Sequence, residues 1–188
     1  MLTPKELLVK LNAIVCETAV SHRGELSLSN VVDKLDFTKP VVRRKIISAS
    51  NDGSMATKIN VEGFPDFTFD EPAQHGGSDL GPTPLTGVLS ALCACKAVTF
   101  NRTAEEFGFN YSGIEFSASF TIDIRGRSGV RGVVPHFQSV KVEAQVATFH
   151  TVQELERVVE ETEVRCPVYN LVKDAGVRIE TIWVRGIS

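Results

Sequence analysis

The chain has 188 residues, of which 43% are hydrophobic and 23% charged, values typical of one ordinary globular domain. A net charge of −3 provides no basic surface for a phosphate backbone, so nucleic acid is not expected as a partner. No apolar run is long enough to span a bilayer, and the first residues lack the basic start and apolar core of a signal peptide, so we expect a cytoplasmic protein without membrane attachment.

Residues 3–16 have the pattern of an amphipathic helix. Thr3 is suited to the N-cap position, and Glu6 completes a capping box with it. Residues 21–40 have a mixed pattern that we interpret as connecting structure with a short helical turn. We therefore predict that residues 1–40 form a helical N-terminal extension.

Residues 41–69 predict antiparallel strands. Their β-branched and aromatic residues gather into runs that are separated by turn signals at residues 51–53 and 63–65, which indicates a meander of two or three strands. Arg43 and Arg44 are neighbours on one predicted strand, so one side chain points inward. A buried arginine needs a partner, which is either a structural ion pair or a thiolate.

A loop rich in glycine and proline, residues 71–84, leads into a nearly uncharged helix. Thr83 is suited to its N-cap position, and Lys96 is the single charge among residues 81–100. A helix that is apolar nearly all round must be covered on every side, by this chain or by a second copy. Backbone N–H groups at such a helix start can hold an anion, but the lysine of a phosphate loop is missing, so a plain turn is the favoured interpretation.

Strands are predicted after this helix. Residues 103–107 are interpreted as a short second helix, and strict alternation of apolar and polar side chains then predicts a half-buried strand over residues 114–124. The same period of two recurs at residues 140–146, which we predict to pair with it.

The last part of the chain combines a helix and a strand. Thr151 and Glu154 form a capping box that opens a helix, and this helix is predicted to end near Cys166, before a proline. Residues 177–184 are the last predicted strand. The succession of strands, buried helix, strands, helix and strand predicts an α+β fold.

Four cysteines are too few and too irregularly spaced for a disulfide-rich secreted scaffold. Cys95 lies in the middle of the buried helix and Cys166 far along the sequence, so only the fold can bring them together. Two adjacent thiols have a chemical use, because a thiolate attacks a peroxide oxygen to give a sulfenic acid and a second thiol then forms a disulfide with it. The alternative, that both cysteines pack as small hydrophobic residues, stays open.

No metal or bound cofactor is expected. Cys93 and Cys95 project about 200° apart on a helix, so they do not chelate one ion together. The four histidines show no ligand spacing for zinc, and Cys16 is interpreted as a core residue. The sequence patterns of hydrolase elbows, phosphate loops and zinc proteases are absent.

Several short motifs occur in a characteristic order. They are Phe69-Asp70-Glu71-Pro72, Gly76-Gly77, Gly81-Pro82-Thr83-Pro84, Cys95, the segment VRGVVPHFQSVKV at residues 130–142, and Arg165-Cys166-Pro167-Val168. In this order they resemble the OsmC/Ohr family of osmotically inducible and organic hydroperoxide resistance proteins. The likeness covers residues 41–188, which we assign to one OsmC-like domain, and the extension before it is similar to that of longer OsmC-like proteins.

The resemblance implies a fold and an activity. The fold consists of antiparallel sheets wrapped around central buried helices in an intertwined homodimer, with the active sites at the subunit interface. The implied activity is that of a thiol-dependent peroxidase in oxidative stress defence, with organic hydroperoxides as substrates and a small or lipoylated dithiol as reductant. Cys95 matches the peroxidatic cysteine and Cys166 the resolving one, and no metal or cofactor is required.

The sequence departs from the family pattern in two respects. Peroxidase members follow the helix-opening proline with a glutamate that pairs with an arginine near the reactive cysteine, and here this residue is Leu85. The aligned stretch, residues 48–54, contains no arginine, which leaves Arg43 or Arg44 as supporting candidates. Without a nearby cation, burial raises the pKa of a thiol. The alternative function is therefore a non-catalytic protein of the same fold that binds a small apolar ligand and uses its cysteines for packing.

Overall fold

The computed structural model describes residue 36 and residues 38–186. The helix predicted for residues 3–16, most of the predicted extension and Cys16 lie outside this part of the chain. The chain divides into two units, Met1–Ile46 and Ile47–Ser188. In the first unit, the described residues are exposed and irregular, and every element named below belongs to the second.

The first sheet is a small antiparallel meander. It contains β1 (Ser48–Asn51), β2 (Thr57–Asn60) and β3 (Phe67–Phe69), paired in that order. The predicted meander is confirmed, but the strand predicted around Arg43 and Arg44 is wrong. The sequence before β1 has pairs of apolar residues instead of an alternation, and its side chains are exposed, so no apolar face holds it as a strand.

The nearly uncharged stretch forms a long helix, α1 (Pro84–Phe107). Thr83 is its N-cap as predicted, and its side chain accepts a hydrogen bond from the first turn. The separate helix predicted for residues 103–107 is wrong, because α1 runs on without a break until Gly108, whose φ of 63° is left-handed. Buried side chains occur up to the last turns of α1, so packing against the rest of the fold stabilises the helix to its end.

The second sheet mixes antiparallel and parallel pairing. It contains β4 (Gly113–Ile122), β5 (Phe137–Ala147) and β6 (Arg178–Gly186), in that order. The predicted pairing of β4 with β5 is confirmed as antiparallel, whereas β5 and β6 are parallel, which corrects the expectation of purely antiparallel sheets. Two helices connect β5 to β6, and such a crossover lets the last strand return in the same direction.

The described part of the chain contains three further α-helices, α2 (Ile124–Arg127), α3 (Val152–Arg165) and α4 (Pro167–Asp174), and a short 3-10 helix at Ala73–His75. The capping box predicted for α3 is confirmed, since the Thr151 N–H lies 2.8 Å from Glu154 Oε2 and the Glu154 N–H donates back to the Thr151 hydroxyl. Cys166 ends α3 as predicted. The sequence analysis missed α4, because it took the following proline only as a helix stop, although proline also suits the first helical position.

Helix α1 packs against α3, α4 and β4, and this packing forms two apolar clusters. One surrounds the first half of α1 and includes α4, and the other surrounds the second half and includes α3. The α+β class is confirmed. One face of α1 is left open by residues 38–186, with Val88 46% and Val98 53% exposed, so these residues do not cover the helix on every side. None of the described helices is long and apolar enough to cross a membrane.

Candidate active site around Cys95 and Cys166

The fold brings the two predicted site cysteines together. Cys95 is half-buried in the middle of α1, and Cys166 is fully buried at the junction of α3 and α4. Both are free thiols, they pack in the same apolar cluster, and Cys95 lies close enough to raise the pKa of the Cys166 thiol. Because α1 packs on both α3 and α4, two residues that are distant in sequence share one site.

The two thiols differ in their surroundings. Burial raises the pKa of the Cys166 thiol, and the neighbouring Cys95 raises it further. The nearby backbone N–H of Tyr169 and hydroxyl of Thr99 oppose this shift without cancelling it. Cys166 is therefore protonated at neutral pH, while Cys95 is the thiol with more access to solvent.

Asn170 holds the turn that carries Cys166. Its side-chain N–H groups donate to the carbonyl oxygens of Glu163, Val164 and Cys166 at 3.0, 3.1 and 2.9 Å. The carbonyls of Glu163 and Val164 lie in the last turn of α3, where helix carbonyls lack their usual backbone partner, and that of Cys166 also accepts a hydrogen bond from the Asn170 backbone N–H. The sequence analysis did not identify Asn170, although an amide side chain just after a helix end is a known way to satisfy such groups.

The single charge in the centre of α1 is buried and paired. Lys96 is completely buried, and its Nζ lies 2.8 Å from Glu163 Oε1 and 4.3 Å from the centre of the Tyr169 ring. The same carboxylate oxygen accepts hydrogen bonds from the Thr181 hydroxyl at 2.5 Å and from Trp183 Nε1 at 3.3 Å. The buried ammonium therefore has a hydrogen-bonded counter-ion, and the carboxylate oxygen that faces it accepts from two further donors.

Glu163 is charged in this network. Burial raises the pKa of its carboxyl, but the hydrogen bonds from Lys96 and Thr181 outweigh burial and leave the pKa below its ordinary value. Lys96 was noted from the sequence as the only charge among residues 81–100, but Glu163 was not found. The signal was available, since a lysine in an apolar stretch of helix requires an acidic partner elsewhere.

Cys93 packs on the same apolar cluster as Cys95 and Cys166. Burial raises the pKa of its thiol, and the charge of Lys96 opposes this increase. Within residues 36 and 38–186, no group of three or more His, Cys, Asp or Glu side chains is arranged to hold a metal ion.

The position of the family glutamate is apolar here. Leu85 packs against the cluster that contains the site cysteines. Arg43 and Arg44 are exposed and belong to the first unit, so their supporting role stays a prediction.

A buried aspartate organises the loop before α1. The Asp70 carboxylate accepts hydrogen bonds from the backbone N–H groups of Glu71, Ser78 and Leu80 at 2.8, 2.9 and 3.1 Å. Burial raises the pKa of Asp70, but these three bonds together outweigh it and lower the pKa. Since Asp70 occupies N–H groups that an anion would need, the structure favours a plain turn for this loop.

Comparison with known proteins gives a consistent family. The family model described as OsmC-like protein matches residues 76–182, more than half of the chain. No curated protein matches this sequence.

Solved structures with the same fold include three of particular interest. An OsmC like protein from Mycoplasma pneumoniae is 16% identical with a TM-score of 0.64, covering 77% of this chain and 99% of that one. An organic hydroperoxide resistance protein from Elizabethkingia anophelis is 14% identical with a TM-score of 0.62, at 79% and 100% coverage. The organic hydroperoxide resistance protein OhrB of Bacillus subtilis is 17% identical with a TM-score of 0.53, at 77% and 98% coverage. At these identities the similarity establishes the fold alone.

Proposed function

This chain belongs to the OsmC-like protein family, and from that membership we propose that it is a thiol-dependent peroxidase that reduces organic hydroperoxides in oxidative stress defence. The observation that carries the proposal is the contact between the free thiols of Cys95 and Cys166. Two similar structures are named as organic hydroperoxide resistance proteins, which supports the choice of substrate.

In the first step, the Cys95 thiolate attacks the distal oxygen of the hydroperoxide. The sulfur–oxygen bond forms, the oxygen–oxygen bond breaks, and the alkoxide takes up a proton and leaves as an alcohol. Two observations support Cys95 as the attacking residue. Cys95 has more access to solvent than Cys166, and the raised pKa of Cys166 leaves that thiol protonated.

In the second step, Cys166 attacks the sulfenic sulfur of Cys95. The disulfide forms, the sulfur–oxygen bond breaks, and the hydroxyl leaves as water with the thiol proton of Cys166. An external dithiol then reduces the disulfide and is itself oxidised to a cyclic or linked disulfide. The existing contact between the two side chains supports this order of events.

We propose further that the protein acts as a homodimer in the cytoplasm. The open apolar face of α1 supports a second copy as its cover, because an apolar helix face of this length is unfavourable in water.

The peroxidase is tested by mixing the reduced protein with cumene hydroperoxide and following the products by mass spectrometry. We expect a Cys95–Cys166 disulfide and turnover with dihydrolipoamide. Cys95→Ser should abolish peroxide consumption, and Cys166→Ser should accumulate a sulfenic acid that dimedone traps. Cys93→Ser is the matched control and should retain activity. The proposal is overturned if the wild type forms no disulfide and turns over with no dithiol.

The apolar position of Leu85 favours a second candidate, a non-catalytic protein that binds a small apolar ligand beside the cysteines. In that case Cys95→Ser leaves ligand affinity unchanged. Loss of peroxide consumption in the same variant rejects this candidate.

A further inference from the structure

The Lys96–Glu163 ion pair joins the two segments that carry the site cysteines. Lys96 follows Cys95 directly on α1, and Glu163 lies three residues before Cys166 on α3. Their contact of 2.8 Å therefore connects the two backbones within one helical turn of each sulfur.

The ion pair is built into the core. Lys96 is completely buried, and Glu163 receives two more hydrogen bonds, from Thr181 and Trp183 of β6. A long charged side chain that is enclosed in this way has lost its rotational freedom, so it transmits the position of one element to the next.

Tyr169 connects the ion pair to the sulfur of Cys166. Its ring lies under the Lys96 ammonium, with 4.3 Å between Nζ and the ring centre. Tyr169 belongs to the same apolar cluster as Cys166, in the first turn of the helix that begins after Cys166, and its backbone N–H lowers the pKa of that thiol. Tyr169 therefore packs beside the Lys96 ammonium on one side and Cys166 on the other.

We propose that Lys96 and Glu163 are positioning residues that hold the Cys95 and Cys166 sulfurs in place for disulfide formation. The two side chains together are called the clamp. A bond between two groups forms more readily when they are held in contact, because the entropy of bringing them together is already lost. The biological use of the clamp rests on the proposed peroxidase function, but its effect on the disulfide can be measured without peroxide.

The experiment measures the equilibrium of the Cys95–Cys166 disulfide in glutathione redox buffers. Oxidised glutathione takes two electrons from the two thiols. The Cys95–Cys166 bond forms, the glutathione disulfide breaks, and both thiol protons end on two molecules of glutathione. The disulfide fraction is quantified by peptide mass spectrometry after acid quenching, in a Cys93→Ser background that removes exchange with the third thiol.

Three variants test the clamp. Lys96→Met with Glu163→Gln removes both charges together, so no unpaired buried charge remains. Thr181→Val removes one hydrogen bond to Glu163 and is the milder change. Lys141→Met is the matched control, because Lys141 also pairs with a glutamate, at 2.6 Å, but on the exposed side of β5.

We expect the disulfide equilibrium constant to fall about tenfold in the double variant and about threefold in Thr181→Val, as is typical when contacting residues are coupled. Lys141→Met should stay within about twofold of the parent. If the double variant does not fold, as judged by circular dichroism, Thr181→Val decides. Equilibrium constants within about twofold of the parent in every folded clamp variant overturn the proposal.

A peroxide experiment separates positioning from general stability. The clamp variants should form the Cys95 sulfenic acid at the parental rate but convert it to the disulfide several-fold more slowly. Equal slowing of both steps overturns the positioning role. If the parent forms the disulfide from glutathione but does not consume hydroperoxide, the peroxidase function fails, and the disulfide equilibrium constants of the variants alone decide on the clamp.

Discussion

Burial separates the behaviour of Cys166 from that of an ordinary thiol. Its side chain is enclosed between α1 and α4, and burial is the largest cause of its raised pKa. The difference matters for chemistry, because only the thiolate attacks an electrophile. In the proposed mechanism this protonated thiol is therefore the resolving one.

We expect alkylation of Cys166 in the folded, reduced protein to require a higher pH than alkylation of a free cysteine. A raised pKa leaves less thiolate at any pH below it, so the midpoint of the rate profile shifts upward from the ordinary value of 9.0. The measurement is iodoacetamide labelling at several pH values with peptide mapping. The same peptide in urea is the control, and a midpoint in the folded protein equal to that in urea contradicts the prediction.

Local hydrogen bonds decide where the elements begin. The capping box of α3 lowers the pKa of Glu154 to about 2, chiefly through the backbone N–H and hydroxyl of Thr151, with a smaller contribution from His150. Close contacts between backbone atoms determine the path of the loop before α1. It approaches β3 and Glu71 so closely that side chains are excluded at Gly77 and Gly81.

The capping box should make stability depend on pH. The folded pKa of Glu154 lies below its ordinary value of 4.5, so its contribution is complete above about pH 6 and is lost as the pH falls toward about 2. We expect Glu154→Gln to lower the melting temperature at pH 7 and to have a clearly smaller effect near pH 2.5, where part of the contribution has been lost. Glu156→Gln, an exposed glutamate of the same helix, is the control. A Glu154→Gln effect that does not vary with pH argues against this mechanism.

The close backbone contacts in this loop predict how much an added methyl group at a glycine reduces the stability of the protein. A Cβ at Gly77 would lie 1.7 Å from the Glu71 carbonyl oxygen, and one at Gly81 would lie 2.0 Å from that of Thr68. We expect Gly77→Ala and Gly81→Ala each to reduce the free energy of unfolding by about 1–3 kcal/mol in urea titrations. Gly113→Ala is the matched control, because nothing lies within 4 Å of its Cβ. Equal stability of all three variants contradicts the prediction.

At the scale of the whole molecule, α1 has an apolar face that the described residues leave exposed. Val88 and Val98 are about half exposed, and Ala91 and Ala94 between them are exposed as well. These four residues lie on one side of the helix, since their spacing follows its turns. The side that faces away from them carries the buried Lys96 and packs on the rest of the chain.

If a second copy covers this face, a charge placed on it should dissociate the dimer. We expect the wild type to sediment as a dimer and Val88→Glu with Val98→Glu to sediment as a folded monomer, because burying two carboxylates without partners is unfavourable. Val152→Glu is the control, as Val152 is 48% exposed at the start of α3, where an acidic residue is well tolerated. A wild type that is monomeric at all concentrations rejects the dimer.

The sequence by itself determined the features that depend on near neighbours. The N-caps Thr83 and Thr151, the meander and the alternation of β4 and β5 follow from side chains a few residues apart, so their patterns were sufficient. The motif order was also sufficient to identify the family, which the match over residues 76–182 confirmed.

Only the tertiary structure decided which distant residues meet. The contact of Cys95 with Cys166, the pairing of Lys96 with Glu163 and the parallel direction of β6 each depend on how helices pack between the strands. Packing also extended α1 past the predicted break, because buried contacts outweigh weak local preferences. Local patterns contain no information on such pairs, since their energies arise from side chains that are far apart in the chain.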